Sequence, residues 1–284
     1  MTFLSIHILS IITLLLYCGS LSLFAYTLIN QNSVKLDNSA RLILLLGFLI
    51  HLVFTILFNI KTDSYVIGIA DSFSIISLLL LGLYFALYYS EGSKRGPKKI
   101  KGMEIIVVPV VLFFFILSSL VFHLDSTTQV SKDQLSSVLL IHIALIICAY
   151  VILSFSFVSS IALLIHERLL KLKKFHIITS RFPSLIALDS FISKSIMLGI
   201  LLLSFGVLLG LYHSLTSQIL LSQALDFKIL SSLAVIILYV FLYYQMSVCG
   251  VRGRKASFYA IACYSLVLLI LFYNYLGYGA GYAS

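Results

Sequence analysis

Between Val138 and Ile165 the chain reads VLLIHIALIICAYVILSFSFVSSIALLI, a run without a single Asp, Glu, Lys or Arg. A helix needs about 20 consecutive apolar residues to cross the hydrocarbon core of a bilayer. The run exceeds that length, and it lacks the short alternating segments that are typical of a transmembrane β-barrel. It therefore predicts one membrane-spanning α-helix, and it provides the pattern against which the rest of the chain can be compared.

Further apolar runs of similar length lie on both sides of this one. They are Phe3–Ile29, Arg41–Ile60, Val66–Tyr89, Ile105–Phe122, Lys194–Leu215, Ile229–Val248 and Phe258–Leu276. Only 10% of the 284 residues are charged, whereas a soluble domain has about 25%. We therefore expect an all-α, polytopic transmembrane helix bundle of about eight spans, forming a single integral membrane domain over residues 1–284. The first run is too long for the core of a signal peptide, so we expect it to be retained as a span.

The basic residues divide unevenly between alternate loops, and this division predicts the orientation. Of the 19 Lys and Arg residues, all but Lys61, Lys132 and Lys228 fall in the loops after the first, third, fifth and seventh spans. Loops rich in Lys and Arg stay on the cytoplasmic side of a membrane. Both termini are therefore expected on the outer side. Because the charges lie in short loops between spans, the net charge of +9 reflects topology, and we expect no nucleic-acid partner.

The longest loop lies between the fifth and sixth spans. Its first part, His166–Phe175, is basic and interrupted by leucines, so it is expected either to extend the fifth helix or to lie on the anionic inner leaflet. Pro183 disfavours helix at the residue before it and predicts a turn over Arg181–Leu185. A short interfacial helix over Leu185–Ser193 is then expected to lead into the sixth span.

The histidines suggest where chemistry could take place. His7, His123, His142 and His213 form one outer layer at the ends of spans, His51 lies about midway along the second span, and His166 and His176 are cytoplasmic. Neutral imidazole is a good ligand for heme iron and enters a membrane more cheaply than a charged side chain. Each of these histidines could equally be an ordinary interfacial or helix-end residue. The nearby glycine pair, Gly206-xxx-Gly210, is typical of helix packing. The pattern is compatible with a porphyrin site but is not specific for one.

A series of short motifs runs in a fixed order from the fifth span to the last loop. They are Leu140–Ala144 with Ala149-Tyr150 and Ser160–Leu164, Arg181–Leu185 with Leu188-Asp189, Leu198-Gly199 through Leu209-Gly210, Asp226–Ser231, and Gly250–Ala256. In order and spacing they resemble the cytochrome c assembly (CcsA/CcmC-like) family of heme-handling membrane proteins, in its HemX/YpjD-like branch. The segments around His51, Asp71 and His123 are also similar to that family. The resemblance covers nearly the whole chain and is strongest over residues 138–255.

The resemblance implies a heme-binding or heme-handling protein of the bacterial inner membrane, which acts in cytochrome c assembly or heme homeostasis. It implies heme b as the cofactor, other cytochrome c maturation proteins as partners, and the periplasm as the outer side. His142, at the outer start of its span, corresponds to an axial ligand of the heme iron in the family. His51 corresponds to a second, membrane-embedded axial ligand, and His213 and His123 are further candidates for heme binding.

The chain also departs from the family's heme lyases. It contains no Trp, and Leu215–Leu225 stands in place of their tryptophan-rich loop. Two further histidines of the lyases fall on or beside Tyr244 and on or near Gly281 in this chain, which has no histidine there. We therefore expect heme handling without complete lyase activity and without catalytic turnover. Two alternatives remain open, a transporter of another solute and a non-heme structural or regulatory membrane subunit; no GxSxG pattern suggests a hydrolase.

Overall fold

The computed structural model describes residues 3–29, 34–61, 69–90, 100, 102–124, 136–173, 183–216 and 227–281. These residues form eight helices and no strand, and all eight helices are long and apolar enough to cross a membrane. The prediction of an all-α membrane protein with eight spans is therefore confirmed. In chain order the helices are α1 (Phe3–Ile29), α2 (Val34–Lys61), α3 (Ile69–Ser90), α4 (Glu104–Leu124), α5 (Ser137–Lys171), α6 (Leu185–Thr216), α7 (Phe227–Ser247) and α8 (Arg254–Gly281).

Two of the helices extend well beyond the predicted spans. Helix α5 continues to Lys171, so the first part of the basic segment that begins at His166 extends the fifth helix, while residues 174 and 175 lie outside the described residues. The prediction of a separate interfacial helix over Leu185–Ser193 is wrong, because these residues are the first turns of a continuous α6. The side chain of Ser184 caps this start by accepting a hydrogen bond from the backbone N–H of Ala187 at 3.2 Å. No Gly or Pro follows before Lys194, so nothing interrupts the helix.

The helices pack as two compact units. The first unit comprises residues 1–133 and 173–183 and contains α1–α4, and the second comprises residues 134–172 and 184–284 and contains α5–α8. In the first unit α1 packs against α2 and α4, and α3 packs against α2 and α4. In the second unit the most extensive contact joins α5 to α6, while α8 packs against α5 and α7, and α7 packs against α6. The single-domain interpretation of the whole chain stays a prediction.

The close pairing of α5 and α6 depends on glycines. Gly206 and Gly210 on α6 face Ile146 and His142 on α5. A Cβ at Gly206 would lie 2.8 Å from Cδ1 of Ile146, and one at Gly210 would lie 2.6 Å from Cε1 of His142. Small residues at such positions let two membrane helices approach closely. The packing role predicted for this glycine pair is therefore confirmed, and at Gly210 the facing residue is a histidine.

Candidate functional site

His142 lies in the second turn of α5, and its ring packs against the backbone of α6. Its Nδ1 lies 2.6 Å from the carbonyl oxygen of Gly206. The ring also lies so close to Gly210 that any side chain there would collide with it. The His142 side chain is half-buried. The packing of α5 on α6 thus determines where this imidazole lies.

The bond to Gly206 determines which nitrogen of the neutral His142 ring carries the proton. A carbonyl oxygen can only accept, so Nδ1 donates and the lone pair lies on Nε2. Among the residues that the structure describes, this Nε2 has no hydrogen-bond partner. Metal-bound histidines almost always donate their other ring N–H to a backbone carbonyl, a carboxylate or water. His142 is therefore arranged as an axial ligand of a metal would be.

His213 lies at the same end of the α5–α6 pair. Its Nδ1 is 3.3 Å from Oγ of Ser136, the residue that caps α5 by accepting a hydrogen bond from the N–H of Leu139. The structure thus brings two of the predicted site residues, His142 and His213, to one end of the second unit.

His51 occupies a different environment, at the centre of the first unit. Its side chain is 0% exposed. Its Nδ1 lies 3.1 Å from the hydroxyl oxygen of Tyr17 on α1, and its Nε2 lies 3.0 Å from Oγ of Ser74 on α3. The ring of Phe115 on α4 makes an edge contact, with 4.7 Å between the ring centroids. One histidine on α2 thus contacts the other three helices of its unit.

These contacts provide His51 with a structural role. A buried polar side chain is costly unless it is hydrogen-bonded, and both nitrogens of this ring have a hydroxyl partner. An axial ligand needs a ring nitrogen with an available lone pair. Binding of iron by His51 therefore requires one of the two hydrogen bonds to break, and its assignment as an axial ligand stays a prediction under that condition.

His123 lies in the last turn of α4, but its side chain lies outside the described residues. Within the described ranges, no three His, Cys, Asp or Glu side chains come together in a group that could hold a bare metal ion. A heme iron brings its own porphyrin nitrogens and needs only axial ligands from the protein, for which a single histidine can suffice. The arrangement of His142 fits that requirement.

The first unit also contains a buried ion pair that the sequence patterns did not predict. Nε of Arg41 donates to Oε1 of Glu104 at 2.9 Å, and the same guanidinium lies 3.9 Å from the carboxylate of Asp37. The side chains of Asp37 and Glu104 are 4% and 3% exposed. The guanidinium carbon lies 5.1 Å from the centre of the Tyr88 ring, within the range of a cation–π contact. This cluster joins the ends of α2, α3 and α4.

Arg41 was counted with the first loop because it is the first residue of the predicted second span. The structure starts α2 at Val34, so Arg41 lies about two turns inside the helix. A signal was present in the sequence: Asp37 and Arg41 have the i, i+4 spacing of a helical ion pair. The partner on α4, Glu104, comes from a distant part of the chain and could not be identified by spacing.

Two of the sequence motifs, Leu188-Asp189 and Gly250–Ala256, contact each other in the second unit. Asp189, near the start of α6, accepts a hydrogen bond from the backbone N–H of Gly253 at 3.0 Å. Gly253 and Gly250 have φ values of 62° and 68°, in the left-handed region that favours glycine. The carbonyl of Gly253 accepts from Ser257 N at 3.0 Å and so begins α8. The carboxylate thus satisfies an N–H at the positive end of the α8 dipole and fixes the α7–α8 loop.

Known proteins are similar to this chain over most of its length. The chain is 24% identical over 271 residues to "Protein HemX" of Brevibacillus brevis, which covers 94% of this chain and 93% of that protein. It is 31% identical over 143 residues to "Protein HemX" of Bacillus subtilis (strain 168), half of either chain. No solved structure matches it significantly. The family model described as "Cytochrome C assembly protein" matches residues 9–279, which include both helical units and His142 with its glycine partners. The chain therefore belongs to the cytochrome c assembly protein family.

Proposed function

We propose that this protein binds heme b in the membrane and acts in cytochrome c assembly or heme supply, with His142 as an axial ligand. The observation that carries the proposal is the hydrogen bond from His142 to the Gly206 carbonyl, which leaves the lone pair on Nε2. Membership of the family supports a role in assembly. Because the chain has no Trp, and the family's lyases present heme on a tryptophan-rich loop, we propose heme handling without a complete lyase activity.

Each residue of the site has a proposed part in heme binding. When bound, heme would supply an iron that accepts an electron pair at its axial position. His142 would donate the lone pair of Nε2, while the Gly206 carbonyl holds the proton on Nδ1. His213, at the same end of the helix pair, is the candidate for the second axial position. His123 and His51 remain further candidates, with the loss of a hydrogen bond required at His51.

A direct test is a titration of the purified wild-type protein with hemin in mild detergent. The proposal predicts saturable binding with a sharpened Soret band and about one heme per chain as the end point, since one heme site, at His142, is proposed. Hemin absorption that matches empty detergent micelles at every concentration would contradict it. If heme-free protein instead copurifies with a stable partner, the alternative of a non-heme regulatory subunit is favoured.

We also propose that the protein is inserted in a bacterial inner membrane with both termini in the periplasm. The support is the concentration of Lys and Arg in alternate loops. Alkaline phosphatase fused after Ser284 is expected to be active, and green fluorescent protein fused there is expected to be dark. The matched control is a fusion within the α7–α8 loop, after Arg252, where the two reporters should give the opposite results. The opposite pattern at Ser284 would overturn the orientation.

A further inference from the structure

We propose that Gly206 and Gly210 form a seat for the His142 imidazole, which fixes both its tautomer and its position. The seat consists of the carbonyl oxygen of Gly206 and the bare backbone of Gly210. This inference deepens the proposed function. It rests on that function in one respect, because the metal that His142 would bind is the iron of heme. Gly210 is on this account a positioning residue that acts through His142.

The His142 ring leaves no space for a side chain at Gly210. A Cβ there would lie 2.6 Å from Cε1, 2.8 Å from Nδ1 and 3.2 Å from Nε2 of His142. Three atoms of one rigid ring would be too close to the new Cβ, so the whole ring would have to move. The hydrogen bond from Nδ1 to Gly206 is 2.6 Å long, and a displaced ring would lengthen or lose it. Even one methyl group at Gly210 therefore disturbs the position of the histidine.

Another glycine of the same interface faces an apolar side chain and not a polar ring. Gly199, on the same helix, faces the side chain of Leu153 on α5 in equally close contact. The side chain of Leu153 is apolar and has no hydrogen bond, so a methyl group added at Gly199 would displace apolar atoms and break no polar bond. Close helix packing alone accounts for Gly199, whereas Gly210 also meets a ring whose orientation is set by a polar bond.

The acceptor of the hydrogen bond from His142 Nδ1 is the backbone carbonyl of Gly206. A backbone carbonyl cannot ionise and cannot donate, so it holds the proton of the neutral ring on Nδ1 under all conditions in which α5 and α6 are paired. Donation from Nδ1 raises the basicity of Nε2 as a ligand. The packing of two helices thus fixes the tautomer of the neutral His142 ring without any polar side chain.

One experiment tests the seat without heme. In heme-free wild-type protein with ¹⁵N-labelled histidine, at alkaline pH where the ring is neutral, the His142 signals should show the proton on Nδ1. Comparison with His142→Gln identifies those signals. The Gly210→Ala variant should lose this pattern, and Gly199→Ala should keep it. A wild-type His142 with its proton on Nε2 would overturn the seat, whatever the protein does with heme.

A second experiment measures the consequence for heme. Gly210→Ala should lower heme affinity by about 10–100-fold, the usual effect of removing an outer partner of a metal ligand, and should change the electron paramagnetic resonance signature of the axial ligand. Gly199→Ala should keep the wild-type signature. If Gly210→Ala binds heme with wild-type affinity and signature, the seat is refuted. If the wild-type protein binds no heme while its nitrogen signals show the Nδ1 proton, the seat stands and the heme function fails.

Discussion

Replacing Glu104 with alanine is expected to lower the free energy of unfolding by about 3–5 kcal/mol, the usual cost of removing one partner of a buried ion pair. The cost arises because the Arg41 guanidinium, only 12% exposed, would keep its charge and lose its partner at 2.9 Å. Denaturant titration in mixed micelles, followed by circular dichroism, measures the change. Replacing all three charged residues of the cluster, as Arg41→Met with Glu104→Leu and Asp37→Asn, should recover much of the loss because no charge of the cluster is then left without its partner.

The chain provides a matched control for this prediction. Lys171 and Glu167 form an ion pair of the same length, 2.9 Å, but their side chains are 61% and 27% exposed. Exposed pairs contribute about 0–1 kcal/mol, so Glu167→Ala should have little effect. Equal losses of unfolding free energy in Glu104→Ala and Glu167→Ala would show that burial does not account for the contribution of the Arg41–Glu104 pair to stability.

Replacing His142 with alanine is expected to weaken heme binding by more than about 100-fold, because loss of an outer partner alone costs 10–100-fold and here the ligand itself is lost. Hemin titrations of the wild-type protein and the variant measure this difference. The variant should remain folded, since the ring is half-buried and its one hydrogen bond is to a backbone carbonyl. Unchanged heme affinity in folded His142→Ala would reject this residue as a ligand.

The matching variant in the first unit is His51→Ala. This change removes a fully buried ring and leaves the hydroxyls of Tyr17 and Ser74 without their partner, so stability is expected to fall. Heme affinity of the fraction that remains folded should stay near that of the wild type. Loss of heme at unchanged stability would instead indicate that one hydrogen bond of His51 opens to allow iron to bind.

The number and type of the helices could be predicted because uncharged apolar runs of about 20 residues rarely occur outside membrane-spanning helices. Their ends were harder to predict. Arg41 lies inside α2 since an ion pair offsets its charge, and hydropathy alone cannot detect a partner that is 63 residues away. The start of α6 was misjudged because the sixth apolar run was taken to begin at Lys194, although Ser184 was present as a helix cap.

The candidate site could be predicted only in part. The resemblance to the family identified His142, but the acceptor of its hydrogen bond is the carbonyl of Gly206, and every residue has a carbonyl. The glycine pair was identified as a packing motif, while its contact with a histidine depends on the register of α5 against α6. For His51, the hydroxyl groups that hydrogen-bond to its two ring nitrogens come from α1 and α3, and no local sequence pattern connects them.

The most direct test of a heme function is the absorption spectrum of the protein as purified from membranes of cells supplied with a heme precursor, with heme quantified as the pyridine hemochrome. We expect a Soret band in the wild-type protein and its loss in His142→Ala at equal protein concentration. Absence of the band in the wild-type protein, together with failure to bind added hemin, would contradict the proposal that this member of the family handles heme through His142.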